Sequence, residues 1–147
     1  MDRSIPELLR AHALRSTPAR RAVLALLRGR ERAVSAPELE GAVDSDRVTV
    51  YRTLSAFEEA GLVHRVHDGS GAEKYALCAD HCSPAGHVDE HAHFRCDDCG
   101  QTECLPAAGA PPAPPLPAGY EVAERILTYV GRCAACAVGA AAERAAA

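Results

Sequence analysis

Two Cys-x-x-Cys pairs, Cys96/Cys99 and Cys133/Cys136, lie in the second half of this 147-residue chain. Each such turn can bring two thiolates to about 2.3 Å from one Zn²⁺, and two turns complete a closed tetrahedral site. Because no coordination position is then left for water, the metal would stabilise a fold and would not catalyse a reaction. The alternative is two unrelated buried or redox-active pairs. A thioredoxin-like pair would lie near a βαβ unit, which this sequence pattern does not contain.

A second group of metal-ligand types lies around the first pair. Its members are Cys78, His81, Cys82, His87, His91, His93 and Cys104. Seven cysteines in a chain that opens without a secretory signal pattern indicate thiolates that bind metal or sense redox state, because the cytosol keeps thiols reduced. The sequence therefore predicts one metal that holds a fold and a second metal that is sensed.

Composition favours a small cytoplasmic protein with a metal staple. Aromatic residues make up only 4% of the chain and tryptophan is absent, so a core must come from Leu, Val and Ala. No apolar run has the length of a membrane span. Residues 1–67 have a net charge of +2, whereas residues 68–147 have −6. The first half is therefore the half expected to contact nucleic acid.

The first half has the pattern of a winged helix-turn-helix. We predict helices over residues 5–12, from Thr17-Pro18 to Gly29, from Ser35 to Val43 and over 48–60, followed by strands over 62–66 and 74–77. The helix before the wing is expected to enter a DNA major groove. Its inward residues are predicted to be Val50, Leu54 and Phe57, and its outward residues Thr49, Arg52, Thr53 and Ser55.

The second half predicts a zinc ribbon, with strands at residues 93–95 and 101–103 around the first cysteine pair. Residues 106–118 are rich in Pro and are expected to be a stiff connector. Residues 120–130 alternate like a strand. The fold class is therefore α+β, with a winged-helix domain over 1–78, a small metal-binding α/β domain over 79–140, and a frayed helix or flexible tail over 141–147.

Taken together, these motifs resemble the ferric uptake regulator family of metal-dependent bacterial repressors. The matching segments are residues 17–24, 48–54 and 61–64, the His91-x-His93-x-x-Cys96-x-x-Cys99-Gly100 run, and Cys133-x-x-Cys136. The resemblance implies an N-terminal winged helix, a C-terminal dimerisation domain and a homodimer that binds double-stranded DNA at an AT-rich inverted repeat. It also implies that Tyr51 and Arg52 face DNA, with Arg20 as a basic residue of the second helix.

Elementary chemistry agrees with these DNA-binding roles. Arg52 can pair with guanine or neutralise phosphate, Tyr51 can pack on a thymine methyl group, and Thr49 can bond to phosphate. The alternatives without a role in DNA binding are a packed helix residue for Tyr51 and a solvated charge for Arg52. Because the first half carries only a modest positive charge, affinity is expected to require a dimer.

The resemblance to the zinc-sensing branch also implies a regulatory metal site. Its ligands would be His64, Cys78, His91 and His93, with either Glu103 or Cys104 in place of the family's carboxylate. Thiolate and imidazole suit Zn²⁺ better than Fe²⁺ or Mn²⁺. Ala33 stands where iron and peroxide sensors of the family carry a histidine, which also favours zinc. His64 as an exposed wing residue and Cys78 as a small buried hydrophobe are the alternatives.

The chain departs from the family in two places. Cys104 stands where the family usually has a carboxylate. The Pro-rich segment replaces a helix of the family, which reduces the expected dimer face. His81, Cys82 and His87 could form an extra zinc site or be solvated. The sequence predicts a zinc-responsive repressor of metal-uptake genes. The alternatives are a peroxide or thiol redox sensor, or an iron-responsive repressor, of the same family. An enzyme is not expected, since there is no zinc-hydrolase motif such as His-Glu-x-x-His.

Overall fold

The computed structural model describes residues 3–78, 91–109, 111–123 and 125–146. The chain divides into two compact units, Met1–Val88 and Asp89–Ala147. No helix in these described ranges is long and apolar enough to cross a membrane. His81, Cys82 and His87 lie outside the described residues. The predicted domain boundary at residue 78 therefore stays a prediction.

The described residues of the first unit form four helices and a three-stranded antiparallel sheet of order β1-β3-β2. Its elements are α1 (Ile5–Ala11), α2 (Pro18–Arg30), β1 (Val34–Ser35), α3 (Ala36–Ala42), α4 (Arg47–Glu59), β2 (Val63–Val66) and β3 (Lys74–Leu77). The predicted winged helix-turn-helix is thus confirmed. Strand β1 is not predictable from the sequence, because two residues are too few to produce a periodic signal.

Local sequence sets the ends of these helices. Thr17, Ser35 and Asp46 each accept a hydrogen bond from a backbone N–H three residues ahead, which caps α2, α3 and α4. After α4 the chain reverses at Gly61, whose φ of 67° is the left-handed conformation that glycine adopts without strain. The helix-start residues in the sequence are therefore the residues that satisfy the first amides.

One apolar cluster forms the interior of the first unit. Its buried members include Leu9, Val23, Leu24, Val34, Leu39, Val50, Leu54, Phe57, Val63 and Tyr75. The predicted inward face of α4 is confirmed, but the prediction that Thr53 points outward is wrong. Thr53 is buried, because it lies one position before Leu54 and shares the inner half of the helix.

The wing between β2 and β3 is closed by a buried ion pair. The Lys74 ammonium lies 2.6 Å from a carboxylate oxygen of Asp68, and the Asp68 side chain is almost fully buried. The second oxygen of Asp68 accepts a hydrogen bond from the backbone N–H of Ser70. Asp68 therefore fixes both the turn and the base of the wing.

In the part of the second unit that the structure describes there are a three-stranded sheet of order β5-β4-β6 and one helix. Its elements are β4 (His91–Cys96), β5 (Thr102–Gly109), β6 (Thr128–Gly131) and α5 (Ala134–Ala146). Strands β4 and β5 are antiparallel, whereas β4 and β6 are parallel. The two strands predicted around the first cysteine pair are confirmed.

Two predictions for the second unit are wrong. Residues 106–109, assigned to the connector, belong to β5, which is an edge strand and so tolerates the missing amide of Pro106. The predicted strand over 120–130 is a strand only from Thr128, since the earlier apolar side chains find no sheet partner. Residues 141–146, where the sequence predicts a frayed helix or a flexible tail, continue α5 as a helix. Alanine, which dominates this segment, has the highest helix propensity.

Candidate metal centres and DNA-reading helix

The four cysteines of the two Cys-x-x-Cys pairs converge at one end of the β4–β6 sheet. Cys96 ends β4, Cys99 lies in the following turn, and Cys133 and Cys136 flank the start of α5. The four Sγ atoms all lie within 4.8 Å of one another. The Sγ atoms of Cys99 and Cys133 are 3.9 Å apart. Two sulfurs bound tetrahedrally to one Zn²⁺ at about 2.3 Å would be separated by roughly 3.8 Å, so the geometry fits a metal of that size.

The electrostatics of this cluster also fit a cation. Hydrogen bonds from the backbone N–H groups of Cys133 and Cys99 lower the pKa of Cys96 to about 6. The neighbouring thiol of Cys133 and burial raise the pKa of Cys136 to about 12. One thiolate therefore forms readily, whereas a full set of four needs a positive ion to offset its charge.

A second pair of ligand types lies on the wing of the first unit. His64 on β2 pairs with Ala76 on β3, and Cys78 follows two positions later on the same face. The Cys78 Sγ is 3.6 Å from the His64 Nδ1. Zinc bonds of about 2.3 Å to sulfur and 2.0 Å to nitrogen would place these atoms roughly 3.5 Å apart. The wing therefore presents a thiol and an imidazole at the separation of two ligands on one metal.

A third set of ligand types lies on the sheet of the second unit. His93 on β4 is directly opposite Cys104 on β5, and His91 lies two positions earlier on the same strand face. One ligand atom from each of these three residues lies within 4.8 Å of the others. The imidazole ring centroids of His91 and His93 are 4.7 Å apart.

The strand register separates the two residues that the sequence left open. Glu103 pairs with Phe94 and is exposed, so its side chain points to the face opposite His91 and His93. Cys104 lies on their face. The geometry therefore brings Cys104, and not Glu103, to the two histidines.

The outward face of α4 carries two of the predicted DNA-binding residues. Arg52 is exposed and Tyr51 is half-buried, with part of its ring packed on the apolar cluster. The guanidinium carbon of Arg47 lies 5.4 Å from the centre of the Tyr51 ring, a cation–π distance. Both the packing and the cation hold the ring, so its hydroxyl end is presented from a fixed position.

The other two predicted DNA-binding residues already have intramolecular partners. The Thr49 hydroxyl donates to Asp46 at 2.7 Å as part of the cap of α4. Arg20 donates to the carbonyl oxygen of Arg15 at 3.2 Å. Thr49 is thus chiefly a helix-start residue, whereas the half-buried Arg20 keeps further N–H groups for a phosphate.

Sequence reasoning missed Arg47 and Val48, the first two residues of α4. Both are exposed beside Tyr51 and Arg52. A helical projection of α4 would have found them on the outward face. From the sequence, Val48 is predicted as the start of the helix and as part of the family-like segment 48–54, without a DNA-binding role.

The fold and the cysteine cluster define a winged-helix DNA-binding protein with a metal-binding second unit. The sequence pattern of the ferric uptake regulator family matches residues 11–106. The chain belongs to this family, and the resemblance stated from the motifs is confirmed.

Relatives within the family include both iron-named and zinc-named regulators. The chain is 33% identical over 109 residues to the ferric uptake regulation protein of Haemophilus ducreyi, covering 69% of this chain and 68% of that protein. It is 32% identical over 97 residues to a zinc uptake regulation protein of Mycobacterium tuberculosis, covering 63% and 68%. A solved zinc uptake regulator complexed with zinc and DNA superposes with a TM-score of 0.62 at 28% identity, covering 92% of this chain and 91% of that one.

Proposed function

We propose that this protein is a zinc-responsive DNA-binding repressor of metal-uptake genes that acts as a homodimer on an inverted repeat. Membership of the ferric uptake regulator family supports metal-dependent regulation. The observation that carries the choice of zinc is the Cys78–His64 pair, whose sulfur and nitrogen are 3.6 Å apart on the wing. A thiolate beside an imidazole is a donor set that suits Zn²⁺, and iron and manganese sites contain more carboxylate.

The four-cysteine cluster has a structural role in this proposal. Cys96, Cys99, Cys133 and Cys136 would bind one Zn²⁺ in a closed site without a water ligand. Such a metal ties the end of β4 and the turn after it to the start of α5. It would be present whether or not zinc is in excess.

The regulatory Zn²⁺ would bind to the remaining ligands. The wing supplies His64 and Cys78, and the sheet of the second unit supplies His91, His93 and Cys104. Neither set reaches four protein ligands, so each alone is short of a closed tetrahedral site. A metal that recruits ligands from both would link the wing to the second unit. The exposed Glu103 on the opposite strand face is the weaker candidate.

This shared metal gives a physical route to regulation. Strands β2 and β3 are continuous with the DNA-reading helix α4 through Gly61. Zinc that restricts the orientation of the wing would therefore restrict the orientation of α4 in each protomer. The population would shift towards dimers whose two helices match the spacing of an operator.

DNA would be read by Tyr51 and Arg52, with Arg20 and Thr49 near the phosphates. In this assignment Arg52 approaches a guanine edge or phosphate, and the exposed part of Tyr51 packs on a base methyl group. No catalytic residue is part of the proposal.

The decisive experiment is capture of fragmented genomic DNA by the purified protein at two buffered free-zinc levels, with one tightly bound zinc per chain verified in both. We expect one inverted repeat to be enriched only at the higher level. Equal enrichment at both levels would retain DNA binding and would overturn zinc gating.

A double variant tests the ligand assignment. His93→Ala with Cys78→Ser should retain the tightly bound zinc and lose zinc-dependent DNA affinity. His67→Ala, an exposed histidine on the same wing, is the matched control and should behave like the wild type. Unchanged affinity of the double variant would contradict the assignment.

The Cys78–His64 pair also favours a second candidate, a thiol redox sensor. A neighbouring imidazole can accept the proton of a thiol, and the thiolate is the form that peroxide oxidises. Peroxide-dependent loss of DNA binding at fixed free zinc, abolished by Cys78→Ser, would identify this function. Insensitivity to peroxide would leave zinc as the signal.

A further inference from the structure

The first turn of α4 exposes an apolar side chain that the fold does not use. Val48 is 57% exposed. Among the described residues of the first unit, it is the one large hydrophobic residue with this degree of exposure. A β-branched residue also has a lower helix propensity than alanine. Neither packing within the unit nor helix formation therefore explains valine at this position.

The surroundings of Val48 indicate what it meets. It lies in a shallow groove of roughly 480 Å³ formed by residues of α4 between Arg47 and Glu59. Arg47 precedes it, and Tyr51 and Arg52 lie three and four positions later, which places them beside Val48 on the helix surface. Two guanidinium groups around an apolar patch suit a polyanion that also exposes methyl groups. In duplex DNA the thymine 5-methyl group is the apolar feature of the major groove.

We propose that Val48 determines base specificity by packing against the 5-methyl group of a thymine in each half-site. The inference rests on the proposed DNA binding and adds a particular base contact to it. Arg47 has a positioning role, because its guanidinium lies 5.4 Å from the Tyr51 ring centre and 3.5 Å from Glu40. It would hold the side of the groove next to Val48.

Replacement of thymine by deoxyuridine tests this contact, since the two bases differ only in the methyl group. The probe is the inverted repeat recovered by genomic capture, with each thymine of one half-site replaced in turn. Wild-type affinity should fall about fourfold at one position, the effect of one buried methyl group at roughly 0.8 kcal/mol. Val48→Ala should bind the unmodified repeat about fourfold more weakly and be insensitive to deoxyuridine at that position.

The control variant is Val138→Ala on α5, because Val138 is 70% exposed. It should retain the deoxyuridine profile of the wild type. Val48→Ala is expected to fold, since alanine favours helices and the Val48 side chain is 57% exposed; circular dichroism checks this.

The remaining outcomes separate this inference from the proposed function. Identical deoxyuridine profiles for Val48→Ala and the wild type, both bound to the repeat under zinc, would overturn the contact and leave zinc gating intact. Two other results would also overturn the contact. If Val48→Ala weakens binding equally whichever thymine of the probe is replaced, Val48 contacts the DNA backbone. If the substitution changes the mass of the dimer, Val48 contacts protein. If no fragment is captured at either zinc level, both proposals fail.

Discussion

The two units of this protein have different sources of stability. The first buries a continuous cluster of Leu, Val and Phe side chains contributed by all four helices and the wing. In the second, the buried residues among those described are Ala92, His93, Cys96 and Thr102. An apolar cluster of the first kind can stabilise a small fold by itself, whereas so small an interior needs a metal or another partner. The second unit is therefore where the four cysteines are required.

The metal-ligand sets differ in a parallel way. All four cysteines belong to the second unit and form a closed set. The proposed regulatory ligands among the described residues are divided, with two on the wing and three on the β4–β5 sheet. A complete local set is suited to hold a fold, and divided sets are suited to report on how two parts of a molecule are arranged.

The largest expected effect comes from Cys133→Ser, which removes one thiolate from the four-cysteine cluster. We expect loss of the tightly bound zinc, whose binding to such sites is worth roughly 10–16 kcal/mol. Hydrogen exchange measured by mass spectrometry should show loss of protection in β4 and retained protection in α2 and α4. Ala135→Ser, an exposed substitution in the same helix, is the control. Protection that is lost equally in both units would contradict the difference between them.

A core substitution sharpens the comparison from the other side. Leu54→Ala removes a fully buried side chain from the first unit and should lower its free energy of unfolding by about 2–5 kcal/mol. Val138→Ala, which changes an exposed residue, should alter stability by less than about 0.5 kcal/mol. Urea unfolding measures both, together with zinc content. The zinc content of Leu54→Ala should be unchanged, and a loss would mean that the units are not stabilised separately.

A substitution among the proposed regulatory ligands should have a smaller effect. Cys104→Ser should raise the free zinc required for DNA binding by roughly tenfold or more, since even indirect changes at metal sites have effects of 10–100-fold. Glu103→Gln changes the neighbouring residue on the opposite strand face and should have no effect. Zinc titrations of DNA binding, followed by fluorescence anisotropy, compare the two variants. A larger shift for Glu103→Gln would reverse the assignment.

The smallest effect concerns an ion pair of the first unit. Arg32 donates to both carboxylate oxygens of Glu38, at 2.6 and 3.2 Å, and this lowers the pKa of Glu38 below its usual 4.5. A lowered folded-state pKa stabilises the fold above the unfolded pKa, and the contribution is lost as pH falls through the folded value. Glu38→Gln should therefore lower the free energy of unfolding at pH 7 by less than about 1 kcal/mol.

The pH dependence of that difference is its test. Urea unfolding at pH 7 and at progressively lower pH gives the free energies of unfolding of Glu38→Gln and the wild type. The difference between these two free energies should shrink below pH 4.5. Glu40→Gln is the control, because Glu40 lies 3.5 Å from Arg47, whose side chain is largely exposed. A difference that grows on acidification would be inconsistent with the lowered pKa.

The sequence was most informative where a residue type has one local use. Thr17 and Ser35 predicted the starts of two helices, and the two Cys-x-x-Cys pairs predicted one four-thiol cluster, because spacing along the chain determines both. Pairing between distant strands was less predictable. The choice between Glu103 and Cys104 depends on the register of β5 against β4, and a shift of one residue would exchange their faces. Val48 was overlooked because its exposure depends on what the rest of the unit leaves uncovered.

The ion pair at the base of the wing has a further consequence for chemical modification. Lys74 is the only lysine of the chain, and all other strongly basic side chains are arginines. Its ammonium is bound to Asp68 and is mostly buried, so reagents and enzymes that acylate amines have no exposed lysine to modify among the side chains. The cations of α4 are guanidinium groups, which stay charged throughout the physiological range of pH. Lysine acetylation therefore cannot neutralise the cations with which this protein would meet DNA.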